Sequence, residues 1–170
     1  MPASDSSFSA VGFGSEHYSV QRYLASKFPD IEIRRRYEEG MFLERPYMIV
    51  SMVSPSVSKH STYAAFSVTD YVISYYAIDF ADAQGAADKL SLLSWEDNRI
   101  QLYDYSDPQN PSAMTNYKLR VQQATNQLIS DLDDDTMHNV VCNLTIEGKR
   151  SNDGTKAQGT VLESVEIGVG

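Results

Sequence analysis

Residues 61–93 read STYAAFSVTDYVISYYAIDFADAQGAADKLSLL. The first half is rich in Tyr, Val, Ile and Thr, the side chains that fit a pleated, half-buried sheet surface. Residues 65–78 therefore read as a strand, which would span about 45 Å at ~3.3 Å per residue. That is far longer than the usual ~5–6 residues. Asp70 breaks the apolar pattern midway. The expectation is either a bulge near Asp70 or a hairpin whose tip projects beyond the sheet. Asp79 then stands where a helix cap belongs, and Asp82 falls in the first turn, where a carboxylate complements the helix dipole. Phe80, Ala83, Ala87, Leu90 and Leu93 recur at helical spacing and predict a buried stripe. Gly85 weakens a helix relative to Ala, and its presence among alanines predicts close approach to a sheet.

Upstream of this unit, residues 47–54 (YMIVSMVS) read as a short apolar strand that pairs with it, and residues 55–62 (PSVSKHST) as a polar loop. His60 lies in that loop and reads as solvated. Residues 16–27 predict a helix capped by Ser15, with Tyr18, Tyr23, Leu24 and Phe28 on its apolar face, stopped by Pro29. Residues 31–37 alternate as a strand. Its run Arg34-Arg35-Arg36 reads as a solvated edge that resists sheet-to-sheet aggregation, or as a site for an acidic partner. Residues 1–15 are small and polar, with Phe8 and Phe13 as the only large apolar groups besides Met1 and Val11. Such an arm has little to bury by itself. It is expected to lie on a neighbouring copy or to fold back on its own domain.

Downstream, residues 99–105 (RIQLYDY) alternate as a strand. Residues 116–132 read as a helix carrying Leu119, Val121, Leu128, Ile129 and Leu132, although 117–123 can also begin as a strand. Val140, Cys142, Leu144 and Ile146 alternate with polar residues, as do Val161, Val165, Ile167 and Val169. Ser151-Asn152-Asp153-Gly154 between them supplies turn residues. A C-terminal hairpin over 138–169 is the expectation. The fold class predicted is α+β: a mostly antiparallel sheet with two or three helices packed on it, a long projecting hairpin and the C-terminal hairpin. Residues 1–15 form an arm and residues 16–170 a single domain.

Composition narrows the function classes. The chain has 170 residues, 42% hydrophobic and 22% charged, and a net charge of −9. A protein that holds DNA by neutralising phosphates should be basic, so free DNA is not the expected partner. One cysteine, Cys142, allows no internal disulfide and no cysteine-rich zinc site. No apolar run approaches the ~20 residues of a membrane span, and the N-terminus has neither the basic nor the apolar region of a signal peptide. Phosphate loops, dinucleotide fingerprints, His-Glu-x-x-His and nucleophile-elbow motifs are all missing from the sequence. No catalytic residue, cofactor or metal is expected. Asp131, Asp133, Asp134 and Asp135 form an acidic cluster without the spaced Gly and distal Glu of a calcium loop. It reads as a solvated turn. The competing enzyme reading is a small metal-dependent hydrolase built on it, which turnover lost in Asp133→Asn would support.

Arg45-Pro46-Tyr47-Met48-Ile49-Val50, then Val72-Ile73-Ser74-Tyr75-Tyr76-Ala77, then Asp82-Ala83-Gln84-Gly85-Ala86-Ala87-Asp88-Lys89-Leu90 resemble the tail-terminator and tail-completion proteins of long-tailed bacteriophages. The likeness covers residues 18–105 and lies in element order and residue type. The Ser-rich arm and the C-terminal extension depart from it. The resemblance implies a virion protein without catalysis that forms a ring, commonly of six identical subunits. Such a ring caps the tail tube, mates with the head connector or stopper protein, and lets viral DNA pass through its lumen. It would be made in the host cytoplasm and end in the neck of the virion. A different head–tail adaptor or a tail-tube-like protein is the nearest alternative. On this reading the contact residues are sought on the arm and hairpin: Phe8, Phe13, Lys59, His60, Tyr63 and Asp70.

Overall fold

The computed structural model describes residues 13–36, 43–61, 64–95, 98–104, 113–130 and 138–151. In chain order the elements are α1 (Phe13–Lys27), β1 (Glu32–Arg34), β2 (Tyr47–Ser61), β3 (Ala64–Tyr76), α2 (Phe80–Leu92), β4 (Arg99–Asp104), β5 (Ala113–Ser130) and β6 (His138–Ser151). The fold is α+β, as expected. Six strands make one curled sheet in the order β1-β2-β3-β6-β5-β4. Every neighbouring pair is antiparallel except β1–β2, which is parallel.

The long hairpin is β2–β3, paired from Tyr47↔Tyr76 to Ser61↔Ala64. Residues 55–61, expected as loop, are strand. Pro55 misled the reading, because proline is excluded from central strands but tolerated on an edge. Among the described residues, β2 has no strand on its other side past Ile49, where a proline costs no ladder bond. The irregularity expected near Asp70 is a bulge on the partner strand: the register skips Val53, opposite Tyr71 and Asp70. A second skip at His60 places that residue in strand rather than loop.

β6 runs along the full length of β3, from Asn139↔Tyr76 to Ser151↔Ala64, so the hairpin is accompanied by a third strand. On its other side β6 pairs with β5, from His138↔Ser130 to Gly148↔Leu119. Both edges of residues 139–147 are therefore occupied. The expected pairing of this segment with residues 161–169 has no room, and its antiparallel hairpin partner is β5. Residues 152–170 lie outside the described set. The helix expected over 116–132 is the 18-residue strand β5. Its apolar residues also fit a period of two once the bulge at Gln122 is counted: Leu119 and Val121 face inward before it, Ala124 and Leu128 after it. Among the described residues the helices are thus two.

Both helices lie on one face of the sheet. Tyr71, Ile73 and Tyr75 of β3, Met48 and Val50 of β2, and Val140, Cys142, Leu144 and Ile146 of β6 point to that face and are buried. From α1, Val20, Tyr23 and Leu24 join them; Tyr18, expected on this face, is 40% exposed, and Val20 takes the inward place. From α2, Ala83, Ala86 and Leu90 are buried, with Leu93 just beyond its end. Ala86 rather than Ala87 joins Ala83 in the buried stripe, and Phe80 turns outward at 45% exposure. Asp79 is the cap, accepting the Asp82 N–H at 2.8 Å. Gly85 does not serve close packing: a Cβ there would meet nothing within 4 Å. Cys142 is buried, as a small hydrophobe would be.

Candidate assembly surfaces

The first residues of α1 are Phe-Gly-Ser-Glu-His-Tyr-Ser, an unpromising start for a core helix. Ser15, Glu16, His17 and Ser19 are nonetheless buried. Their polar groups meet the two edges of the curled sheet. On the β2 side, His17 donates from Nε2 to the Val50 carbonyl at 2.7 Å, and Gln21 donates to the Ile33 carbonyl of β1 at 2.8 Å. On the β4 side, the Tyr103 N–H donates to Ser19 Oγ at 2.9 Å, while Ser19 donates back to the Ser15 carbonyl at 2.8 Å. Between the edges the Tyr71 hydroxyl donates to Glu16 at 3.0 Å, and the His17 ring packs edge-on to Tyr71. So α1 clasps opposite edges of one sheet through backbone groups that would otherwise lack strand partners. Burial lowers the pKa of His17, helped by the charge of Arg35 and opposed by the Val50 bond. Sequence reading missed this clasp, because Ser, Glu and His on a helix read as its solvent side.

The outer side of the clasp is aromatic and cationic. Arg35 lies 4.1 Å over the Tyr18 ring, and Arg22 lies 4.1 Å over the Tyr103 ring. Arg34 pairs with Glu32 on the β1 edge. Of the triple arginine only Arg34 lies in the edge strand β1; Arg35 and Arg36 follow its end.

The other end of the core is fixed by α2. Asp82 accepts from the Tyr75 hydroxyl at 2.9 Å and from the Ile78 N–H at 2.9 Å. Burial, then this hydrogen bond and the carboxylate's charge, push the Tyr75 pKa upward. Asn126 of β5 donates to the Ala87 carbonyl at 2.9 Å and to Ser91 Oγ at 2.6 Å. This fastens α2 over the half of β5 that β4 does not cover. Burial also lifts the Cys142 thiol to about 12, against a bond from the Thr125 backbone. It is inert as a nucleophile at neutral pH.

Among the described residues, the face of the sheet away from the two helices carries no helix. Around its base, where β3 ends and β6 begins, three rows cross β2, β3, β6 and β5, from Tyr47–Tyr76–Asn139–Ile129 to Ser51–Val72–Asn143–Thr125. No acid or base stands in these rows. Tyr47 and Tyr76 stack at 4.4 Å between ring centroids. Arg45 holds this end together, donating to the Ala77 carbonyl at 3.0 Å and to Asn139 at 3.1 Å. At the same end Ile78, Phe80, Leu128 and Ile129 are 55%, 45%, 37% and 45% exposed. The Phe80 ring packs edge-on to His138.

The expected contact residues divide. Asp70 is exposed on the open face and accepts from Thr145 Oγ1 at 2.8 Å. Lys59 and His60 lie among the last residues of β2 toward the hairpin tip, and Phe13 begins α1 instead of belonging to the arm. Phe8, Tyr63, the arm over residues 1–12 and the Asp131–Asp135 cluster lie outside the described residues. Among the described residues no three His, Cys, Asp or Glu groups could together hold a metal ion, and no helix is long and apolar enough to cross a membrane.

No family model matches the chain, and no curated protein matches it.

Proposed function

We propose that this protein is a ring-forming structural protein of the tail-terminator and tail-completion type, placed at the head–tail joint of a long-tailed bacteriophage. The observation that carries the reading is the order helix, strand, long hairpin, Asp-capped Ala-rich helix over residues 13–92, with α2 packed across the sheet at the base of the hairpin. The resemblance implies a helix, a strand led by Pro46 and Tyr47, a long strand and an Ala-rich helix packed on the sheet; the polar loop it also implies is strand here. A hairpin of this length, flanked along β3 by β6, presents its β2 side past Ile49 as a surface for contacting a neighbouring subunit.

The mechanism is templated binding. Identical subunits close into a ring, one ring surface matches the tail tube protein, and the other matches the head connector or stopper protein. Polymerisation of the tube then stops without covalent chemistry. Viral DNA passes the lumen without specific binding. The net charge of −9 supports this, since like charges repel; a lumen lined by Lys and Arg would count against it. Negative-stain imaging with light scattering tests the proposal. Closed rings of fixed subunit number are expected. Long stacks would point instead to a tube-like protein, and a monomer at every concentration would remove both virion readings.

A further inference from the structure

Residues 160–169, TVLESVEIGV, alternate as a strand does, with Val161, Val165, Ile167 and Val169 on one side and Thr160, Leu162, Ser164 and Glu166 on the other. A strand needs an edge to pair with, and β6 offers none along residues 139–147, because β3 and β5 flank it. Among the described residues the longest free edge is the outer side of β2. β1 covers that side only as far as Ile49, and His17 takes the Val50 carbonyl, which leaves residues 51–61. The other edges are short or occupied. β1 has three residues, and Gln21 takes its Ile33 carbonyl. β4 has six, and Ser19 takes the Tyr103 N–H. The part of β5 beyond β4 has α2 fastened over it through Asn126. On the free edge Val53 is 59% exposed at the bulge, and residues 54–56 are exposed as well.

We infer that residues 160–169 add to the outer side of β2 of the same chain as a further antiparallel strand. Direction and reach both fit. β6 ends at Ser151 opposite Ala64, and Ala64 pairs with Ser61, the last residue of β2. A chain leaving Ser151 is therefore at the hairpin tip, and running back from there makes it antiparallel to β2. Reaching the far side of β2 means crossing three strand spacings, about 14 Å at ~4.8 Å each. Residues 152–159 (NDGTKAQG) are mostly polar, hold two glycines, and can span about 26 Å at ~3.3 Å per residue. The resulting spatial order, residues 160–169 followed by β2, β3 and β6, is that of a Greek key, whose fourth strand returns to lie beside the first. Pro55 favours the chain's own segment over a stray one. It offers no N–H, so any strand added here forfeits a bond. A tethered segment, with an effective concentration on the order of mM, tolerates that loss. The added strand closes an edge that would otherwise template pairing with other chains. A neighbouring subunit in a ring then meets this side of the hairpin through residues 160–169, but the pairing itself stands whether or not rings form.

The test is amide exchange of the full-length protein, followed residue by residue by NMR. Along residues 51–61, apart from the register skips at Val53 and His60, the N–H groups point alternately to β3 and to the outer side. In the wild type both sets should be protected. Val165→Pro/Ile167→Pro removes the donors and the extended pairing of the added segment. In that variant the outward set should exchange roughly 10-fold faster or more, as for a hydrogen bond lost, while the β3-directed set and the amides of β6 keep their protection and show that the fold is retained. An outward set that exchanges freely in the wild type, or equally slowly in both proteins, would overturn the inference. A last arm identifies whose segment it is. Isotope-labelled variant mixed with excess unlabelled wild type should keep its fast outward set. Protection restored by the wild type would assign the edge to another copy's segment and overturn the pairing within one chain.

Discussion

At the scale of single residues, the buried histidine is the most informative. His17 is 7% exposed, and its lowered pKa has burial as its first cause, with Arg35 adding to it. The folded state therefore favours the neutral ring, whereas the unfolded chain protonates near ~6.5. Between that value and the lower folded value, the unfolded state binds more protons. Stability supplied by neutral His17 is full above ~6.5 and declines as pH falls through that window. Glu16, Tyr71 and Arg35 are the other polar and charged groups around the ring. Replacement by glutamine keeps an amide N–H that can reach the Val50 carbonyl but cannot titrate. Denaturant midpoints from pH 8 to pH 5 should fall more steeply for the wild type than for His17→Gln. Parallel curves would mean that this histidine does not titrate on unfolding.

At the scale of elements, legibility tracked how local the decisive interaction was. Asp79, Asp82 and the extent of the Ala-rich helix read correctly, because capping and periodicity act within four residues, although Phe80 faces out and Ala86 replaces Ala87 in the buried stripe. Helix α1 was located, but its start was placed three residues late and its buried side misassigned at Tyr18. Its polar residues answer to sheet edges 33 and 84 positions away, at Val50 and Tyr103. Two substitutions separate these cases. At Gly85, added helix propensity should appear without a steric penalty, since a Cβ has open space. Gly85→Ala is expected to stabilise by about 0.5–1 kcal/mol in chemical denaturation; a destabilised variant would mean that the backbone there needs glycine. Ser19→Ala instead removes the acceptor for the Tyr103 amide. The expected cost is about 1–3 kcal/mol for an edge donor left unsatisfied, and the Tyr103 amide should exchange with deuterium faster than its neighbours in β4. An unchanged exchange rate would show that the β4 edge is protected by something other than α1.

At the scale of the whole molecule, the topology was the least legible feature. The hairpin β2–β3 joins sequence neighbours, and two successive runs of strand-forming residues pointed to it. The strand that completes the sheet, β6, comes last in the described chain yet lies between β3 and β5, so it joins an N-terminal half (β1–β2–β3) to a C-terminal half (β5–β4). No local pattern marks that insertion; the same alternation in residues 140–147 fitted a hairpin with residues 161–169 equally well. The candidate surfaces were hidden for a related reason, because exposure of Phe80, Leu128 and Ile129 follows only once α2 and β5 are set side by side. The arrangement predicts how the molecule unfolds. Leu144 is fully buried in the middle of β6, opposite Tyr71 on one side and Ala124 on the other. Removing its side chain weakens both seams at once. Leu144→Ala should cost about 2–5 kcal/mol. The buried rings of Tyr71 and Tyr75 in β3 give a near-UV circular dichroism signal that reports on packing in the N-terminal half, while far-UV circular dichroism reports on the whole sheet. Both signals should lose structure at one midpoint, and Leu144→Ala should shift both by the same amount. Two separated midpoints in the variant would mean that the halves hold their structure independently and that β6 only bridges them.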